Sequence, residues 1–324
     1  MESLQSTKRR IKSVQNINQI TKAMELVAAT KMRRSQEIAL SSRPYAFAAL
    51  DLLATLSKLA TAQEIPREKV EDLPVVLERR PIKHSLVVLI ASDKGLAGSF
   101  NSAVIRKFEK FVANSQQPIA SSQYLFAAVG QKAARYLEHR VPKIEERFVR
   151  VGDFTALEET KPLADFITNG FIEKKWDEVI VFSTHFRSAL KQEPLQRKIF
   201  PVDVVSLKET ANEMIPETGR FSELRQENRM ALFAEEKNAP DYLIEPSPKE
   251  LLGALIPHLV QMQIYHLILE ANASEHAARR MAMKNASDNA SDLAEKLSLV
   301  YNKARQAAIT KEIIEVAAGA EVSA

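Results

Sequence analysis

From Met1 to Arg43 the chain contains neither glycine nor proline, and from His258 to Ala318 it again contains neither. Stretches of this length without a breaker are built for helix, because glycine and proline are the residues that a helix interior tolerates least. In the first stretch Ile17, Ile20, Met24 and Val27 step by three, four and three, with Ile11 and Val14 on an adjoining stripe. In the second, Ala286, Ala290, Leu293, Leu297, Val300, Ala304 and Ala307 alternate four and three, and Ile314 falls in register. A heptad seam sustained this long predicts a coiled coil, and its alanines admit a close partner helix. The second helix has a start signal in Ser247-Pro248-Lys249-Glu250, with a bend expected near Pro257. Helices of about 55–70 residues are on the order of 80–100 Å long. They are expected to project beyond any single domain, paired with each other.

All eight glycines lie at position 95 or later. The middle of the chain has a different pattern from its ends. SLVVLIAS (85–92), QYLFAAV (123–129) and DEVIVFSTHF (177–186) are apolar runs of strand length, separated by helical stretches near 101–114, 131–139 and 156–175. Strand alternating with helix predicts a parallel sheet covered on both faces. RKIFPVDVV (197–205) reads as an edge strand, with Gln192-Glu193-Pro194 near a turn, and 206–241 as mixed helix and loop. The expected division is an N-terminal coiled-coil helix (1–61), a connector (62–84), a central α/β domain (85–246) and a C-terminal coiled-coil helix (247–324). The chain leaves the domain along one helix and returns along the other. The expected fold class is therefore α/β: a long antiparallel coiled coil of the terminal helices plus a central Rossmann-like α/β domain.

Composition narrows the function. The chain has no cysteine, which removes disulfides, thiolate catalysis, cysteine zinc sites and thiol redox control. No apolar run approaches the ~20 residues of a membrane span, and the N-terminus lacks an apolar signal core, so a mature cytoplasmic protein is expected. Net charge is only +4, yet residues 1–34 carry eight basic side chains (Lys8, Arg9, Arg10, Lys12, Lys22, Lys31, Arg33, Arg34) against Glu2 and Glu25. That end of the molecule prefers an acidic partner.

The motifs that could carry chemistry are weak. SDKGLAGSFN (92–101) comes after a strand and opens a helix, as phosphate loops do. It matches neither the Walker spacing nor the dinucleotide fingerprint, and its lysine precedes the glycines. A strand-to-helix turn is the simpler reading, a phosphate cradle the alternative. His266 and Glu270 are four apart on a helix and His276 comes later, but no third ligand completes a metal triad. The carboxylate pairs Glu158-Glu159 and Glu235-Glu236 are adjacent, so on a helix they do not converge. No catalytic, cofactor or metal site is expected. The terminal helices are richer: Gln15, Asn16, Asn18 and Gln19 on the first, and MKNASDNASD (283–292) and YNKARQAAITKE (301–312) on the second, present amides, hydroxyls and bases. Repeated on both helices, they suggest a long polar surface packed against something larger.

ITKAMELVAATKMRRSQ near the start and ASEHAARRMAMKNASDNASDLAEKLSLVYNKARQAAITKEIIE near the end closely resemble the gamma-subunit family of bacterial F-type ATP synthases. SDKGLAGSFN and FRSALKQEPLQRKIFPV match that family's middle segments in order, and 206–240 matches least. The resemblance implies a central rotor shaft whose coiled coil turns inside a ring of alternating alpha and beta subunits. Its α/β domain would meet the epsilon subunit and the membrane ring of c subunits. It implies a peripheral position on the cytoplasmic face of the bacterial inner membrane, with catalytic residues on beta and alpha and none on this chain.

By the same resemblance Lys22 and Met24 face an acidic beta loop. Arg279, Gln306 and Thr310, with Arg305 beside them, touch beta during rotation, and Tyr242 and Glu245 meet the c ring or epsilon. Two departures stand out. The family's loop often reads GLCG, whereas here Ala97 gives GLAG, and the absence of cysteine excludes the thiol regulation of chloroplast-type members. DYLIEPSPKE also departs from the commoner aromatic pattern around Tyr242. Two rivals remain: a coiled coil binding nucleic acid through its basic N-terminus, which lacks aromatics for stacking, and a nucleotide-dependent enzyme using 92–101.

Overall fold

The computed structural model describes residues 3–41, 80–114, 123–153, 155–202 and 248–323. Its elements are α1 (Leu4–Ser41), β1 (Ser85–Ile90), α2 (Phe100–Asn114), β2 (Tyr124–Val129), α3 (Gln131–Glu138), β3 (Glu146–Phe148), α4 (Leu157–Ile172), β4 (Glu178–Phe186), β5 (Gln192–Phe200) and α5 (Pro248–Ser323). Two compact units emerge. One joins 1–29 to 279–324, and the other comprises 30–278. No described helix is long and apolar enough to cross a membrane.

The larger unit is built on a five-stranded sheet in the order β3-β2-β1-β4-β5. β3, β2, β1 and β4 run parallel, and β5 folds back antiparallel on β4. Alternation along β1 divides the core. Leu86, Val88 and Ile90 face a layer of Leu163, Ile167 and Phe171 from α4 and Ile256, Val260, Ile264 and Ile268 from α5. Val87 and Leu89 face Val104 and Phe108 of α2 and Ala133 and Leu137 of α3. The period-2 pattern of a strand thus places helices on both sides, as a doubly wound sheet requires. Gly130, at φ +87°, makes the turn from β2 into α3, and a Cβ there would lie 2.0 Å from the Ala91 carbonyl oxygen. Only glycine permits that approach.

Two sequence expectations change here. Gln192-Glu193-Pro194 opens β5 directly after the turn at Ser188–Lys191, so the edge strand begins at Gln192 and not at Arg197. Among the described residues β5 is an edge strand, the position in a sheet where Pro194 is tolerated. The sheet also contains β3, a three-residue edge strand that no apolar run announced. The helix expected over 156–175 ends at Ile172, and α5 continues through Pro257 without interruption. Glu250 sits in its first turn, whereas Ser247, most of the connector and 206–241 fall outside the described residues.

The smaller unit pairs α1 with α5. Ser287 Oγ lies 2.9 Å from Asn18 Oδ1, which sets the antiparallel register. The buried stripe of α1 is not the one its large apolar residues suggest. Leu4, Thr7, Ile11, Val14, Asn18, Thr21, Glu25 and Ala28 keep a strict four-three alternation and are buried or half-buried. Ile17, Ile20 and Val27, one position removed, are 49%, 60% and 55% exposed. The seam mixes Leu4, Ile11 and Val14 with small and polar residues, while Ile17, Ile20 and Val27 are turned outward.

On α5 the expected seam holds in part: Ala290 is buried and Ala286 and Leu297 are half-buried, but Val300 and Ile314 are 59% and 62% exposed. The register explains the change. With Asn18 opposite Ser287, Leu4 falls opposite Tyr301, and no more of α1 remains to cover α5 beyond that point. Every residue from 302 to 316 is exposed.

Candidate partner-binding surface

The glycine loop is closed by its own side chains. Ser92 N–H donates to Asn101 Oδ1 at 3.0 Å, Asn101 Nδ2 donates to Ser92 Oγ at 2.8 Å, and Ser92 Oγ donates to the Lys94 carbonyl at 2.6 Å. Asp93 accepts the Gln131 N–H at 2.9 Å at the start of α3. That carboxylate occupies the N-terminus of α3, beside the loop, and its charge disfavours an anion there. Gly98 supplies a positive φ of 55°, so its role is to turn the strand into α2.

His266 and Glu270 do not form a metal pair. Glu270 Oε2 lies 2.9 Å from His185 Nδ1 on β4 and 3.9 Å from Arg197 on β5. Burial raises the Glu270 pKa, but the charges of His185 and Arg197 outweigh it, and the carboxyl ends below its usual value. Burial pushes His266 down to about 4. Further along α5, His276 Nε2 lies 3.4 Å from Asp153 Oδ1, and Lys31 of α1 donates to Asp153 Oδ2. Burial raises the Asp153 pKa as well, and Lys31 and His276 bring it below the ordinary carboxylate value. Both clusters are internal ties of the larger unit. His185, Arg197 and Asp153 come from strands and loops distant in sequence, so spacing along α5 could not reveal them.

The outward faces of the smaller unit are different in kind. On α1, Lys22 is exposed and donates to Glu25 Oε2 at 3.1 Å, one turn along the same helix, while Met24 is half-buried. Exposed Ile17, Ile20, Leu26 and Val27 surround them. On α5, Arg305, Gln306 and Thr310 are exposed, and the Thr310 hydroxyl donates to the Gln306 carbonyl at 2.9 Å. They share the unpaired segment with exposed Ile309, Ile313 and Ile314. Arg279 is half-buried at the start of this unit's share of α5. Tyr242 and Glu245 lie outside the described residues.

Three candidates thus gather within two turns of one bare helix, and two lie on the partner helix. The reading of the sequence missed the isoleucines around them, because it assigned Ile17, Ile20 and Ile314 to the seam. The signal was present in the mixed stripe Thr7, Val14, Asn18, Thr21, Glu25 and Ala28, whose spacing is regular although its chemistry is not. Exposed large apolar side chains gathered along helical faces and flanked by bases mark an interaction surface.

A family model described as ATP synthase matches residues 3–322. The chain is 36% identical to the ATP synthase gamma chain of Roseiflexus castenholzii, over 99% of this chain and 98% of that relative. It is 39% identical to the ATP synthase gamma chain of Synechococcus elongatus, over 99% of each. The chain belongs to the ATP synthase gamma-chain family. The gamma-chain match takes in both terminal helices, the glycine loop and the sheet. Among solved structures, the fold resembles a chain from the central stalk and c-ring of Tetrahymena thermophila mitochondrial ATP synthase, at TM-score 0.53 and 21% identity, covering 83% of this chain and 99% of that one. It also resembles a chain of the Euglena gracilis mitochondrial ATP synthase in an assembly of OSCP, F1 and c-ring, at TM-score 0.56 and 16% identity, covering 97% and 92%. The fold is thus shared with these chains at 16–21% identity.

Proposed function

We propose that this gamma-chain family member is the rotor shaft of its synthase and carries no catalytic site of its own. Ion flow turns a ring of c subunits in the membrane, and the ring turns the α/β domain with the epsilon subunit attached. The paired helices then turn within alternating alpha and beta subunits. Lys22 and Met24 on α1, and Arg279, Arg305, Gln306 and Thr310 on α5, are the contacts to beta and alpha, and Tyr242 and Glu245 the contacts to the c ring or epsilon. The chain sits peripherally on the cytoplasmic face of the membrane, held there through the ring.

The supporting observation is the bare end of α5. Every residue from 302 to 316 is exposed, and Ile309, Ile313 and Ile314 are among them. A helix with this composition needs a sleeve. The physical basis of the coupling is differential contact: an element changes the state of its neighbours only by interacting differently with the alternatives. A shaft whose faces differ around its axis does this at every angle. Basic side chains suit acidic partner loops, and amides and hydroxyls form and release contacts without deep locking.

The test is reconstitution of the hexamer from matching alpha and beta subunits with and without this chain. Sustained, cooperative ATP hydrolysis is expected only when the chain is present. Equal turnover in both preparations would refute the reading.

A further inference from the structure

A shaft needs a joint where its helices are fixed to the body that drives them, and within the larger unit one loop reaches both helices. The connection from β3 to α4 places Gly152, Asp153 and Thr155 beside α1 and α5 together. Lys31 of α1 donates to Asp153 Oδ2, and one turn on, Ser35 Oγ is 3.4 Å from the Asp153 carbonyl oxygen. From α5, Asn272 Nδ2 donates to the Gly152 carbonyl and to Thr155 Oγ1, both at 3.1 Å. His276 Nε2 lies 3.4 Å from Asp153 Oδ1. Ser35, Thr155 and His276 are almost fully buried, whereas the Lys31 and Asp153 side chains each keep about a third of their surface in water. Thr155 is itself tied back, donating to the Gly152 carbonyl at 2.8 Å.

Around this loop the same turns of α5 are bound to the sheet. Glu270 meets His185 and Arg197, and Ser274 Oγ lies 3.5 Å from the Thr184 carbonyl. The apolar packing beside the loop is a small cluster in which Met32 and Phe186 meet Ala273 and Ala277. Apolar contacts are non-directional, whereas a linked set of hydrogen bonds and ion pairs has a few preferred geometries and resists displacement. Within the larger unit these directional contacts hold α1 and α5 to the β3–α4 loop, beside the apolar packing of α5 on the sheet.

We propose that Gly152, Asp153 and Thr155 form a torsional strap that makes α1, α5 and the sheet turn as one piece, with Asp153 as its positioning residue. The proposal rests on the rotor reading above. Asp153 is the one residue of the strap whose carboxylate meets a cation from α1 and a histidine from α5 together. Loss of its carboxylate removes one contact to each helix, whereas loss of Lys31 or of Asn272 weakens the hold on one helix alone.

The test uses the assembled, membrane-extracted synthase with the hexamer fixed to a surface and a reporter rod on the c ring. The thermal angular fluctuations of the rod are recorded while the enzyme pauses. Asp153→Ala removes two of the strap's five contacts with the helices and is expected to widen the angular variance by up to about 1.7-fold, as losing two of five equal parallel ties would. Lys31→Met, which removes one contact, should widen it less, and Asn272→Ala no more than Asp153→Ala. ATP hydrolysis per active molecule should be unchanged in all three. A merely structural role would lower assembly yield or melting temperature and leave the variance of assembled molecules at the wild-type value, and that result overturns the proposal. If Asp153→Ala does not assemble, unchanged variance in both Lys31→Met and Asn272→Ala overturns it equally. A rod that does not turn on the wild-type enzyme would instead refute the rotor reading itself.

Discussion

Gly170 sits on α4 with its α-carbon against the Trp176 ring, and a Cβ there would lie 1.9 Å from Cζ2. Trp176 is buried and donates from Nε1 to the Ile167 carbonyl at 3.0 Å, so it has no easy retreat. Gly170→Ala should destabilise the domain by about 3 kcal/mol, the upper range for overpacking, measured by denaturant unfolding. Nothing in the sequence marks this glycine, because its constraint is a ring six residues away brought back by the turn after α4. His266 makes a prediction about pH. Burial lowers its pKa to about 4, so the unfolded chain binds more protons than the native one between pH 6.5 and 4. Stability should fall by about 3 kcal/mol as pH drops through that window. His266→Gln should flatten that dependence in denaturant midpoints. Met24 belongs to the surface rather than the core: half-buried and close to exposed Lys22, it tolerates a longer polar chain. Met24→Lys should leave the melting temperature nearly unchanged and lower the yield of ion transport per ATP hydrolysed, measured in vesicles.

At the scale of elements, the three long strands and most helix boundaries are legible because burial on both faces demands unbroken apolar runs, and β1 and β4 are nearly all buried. β5 was half seen. Its first four residues are half-buried without forming an apolar run, and Pro194 among them argues against a strand. The coiled coil was recognised by period, yet its α1 seam was assigned one residue out of place. Hydrophobicity was the wrong guide there, because the seam takes in Thr7, Asn18 and Glu25 and turns Ile17 and Ile20 outward. In a free-standing coiled coil that arrangement would be upside down. It is the pattern of a helix pair meant to lie inside another body. Ile309→Asp with Ile313→Asp should therefore shift the stability of the isolated chain by no more than about 0.5 kcal/mol, as exposed substitutions do. The same pair should weaken assembly with alpha and beta subunits severely, read as recovery of the chain in purified hexamers.

At the scale of the molecule, the absence of breakers at both ends and the βαβ rhythm between them carried the architecture, and the words of the terminal helices carried the family. What spacing could not supply was how distant segments meet: Asp153 on Lys31 and His276, or Glu270 on His185 and Arg197. Such contacts depend on the crossover from β3 to β4 on the far side of β1, which no local pattern records. The glycine loop shows the reverse case, where a familiar local pattern suggested chemistry that Asp93 and Asn101 close off. The central claim is that this chain turns. Because the sequence contains no cysteine, a single Lys110→Cys on the exposed face of α2 provides a unique point of attachment. With the hexamer anchored and ATP supplied, a probe on that cysteine should rotate continuously in one direction. A probe that stays fixed while the same molecules hydrolyse ATP would contradict the account.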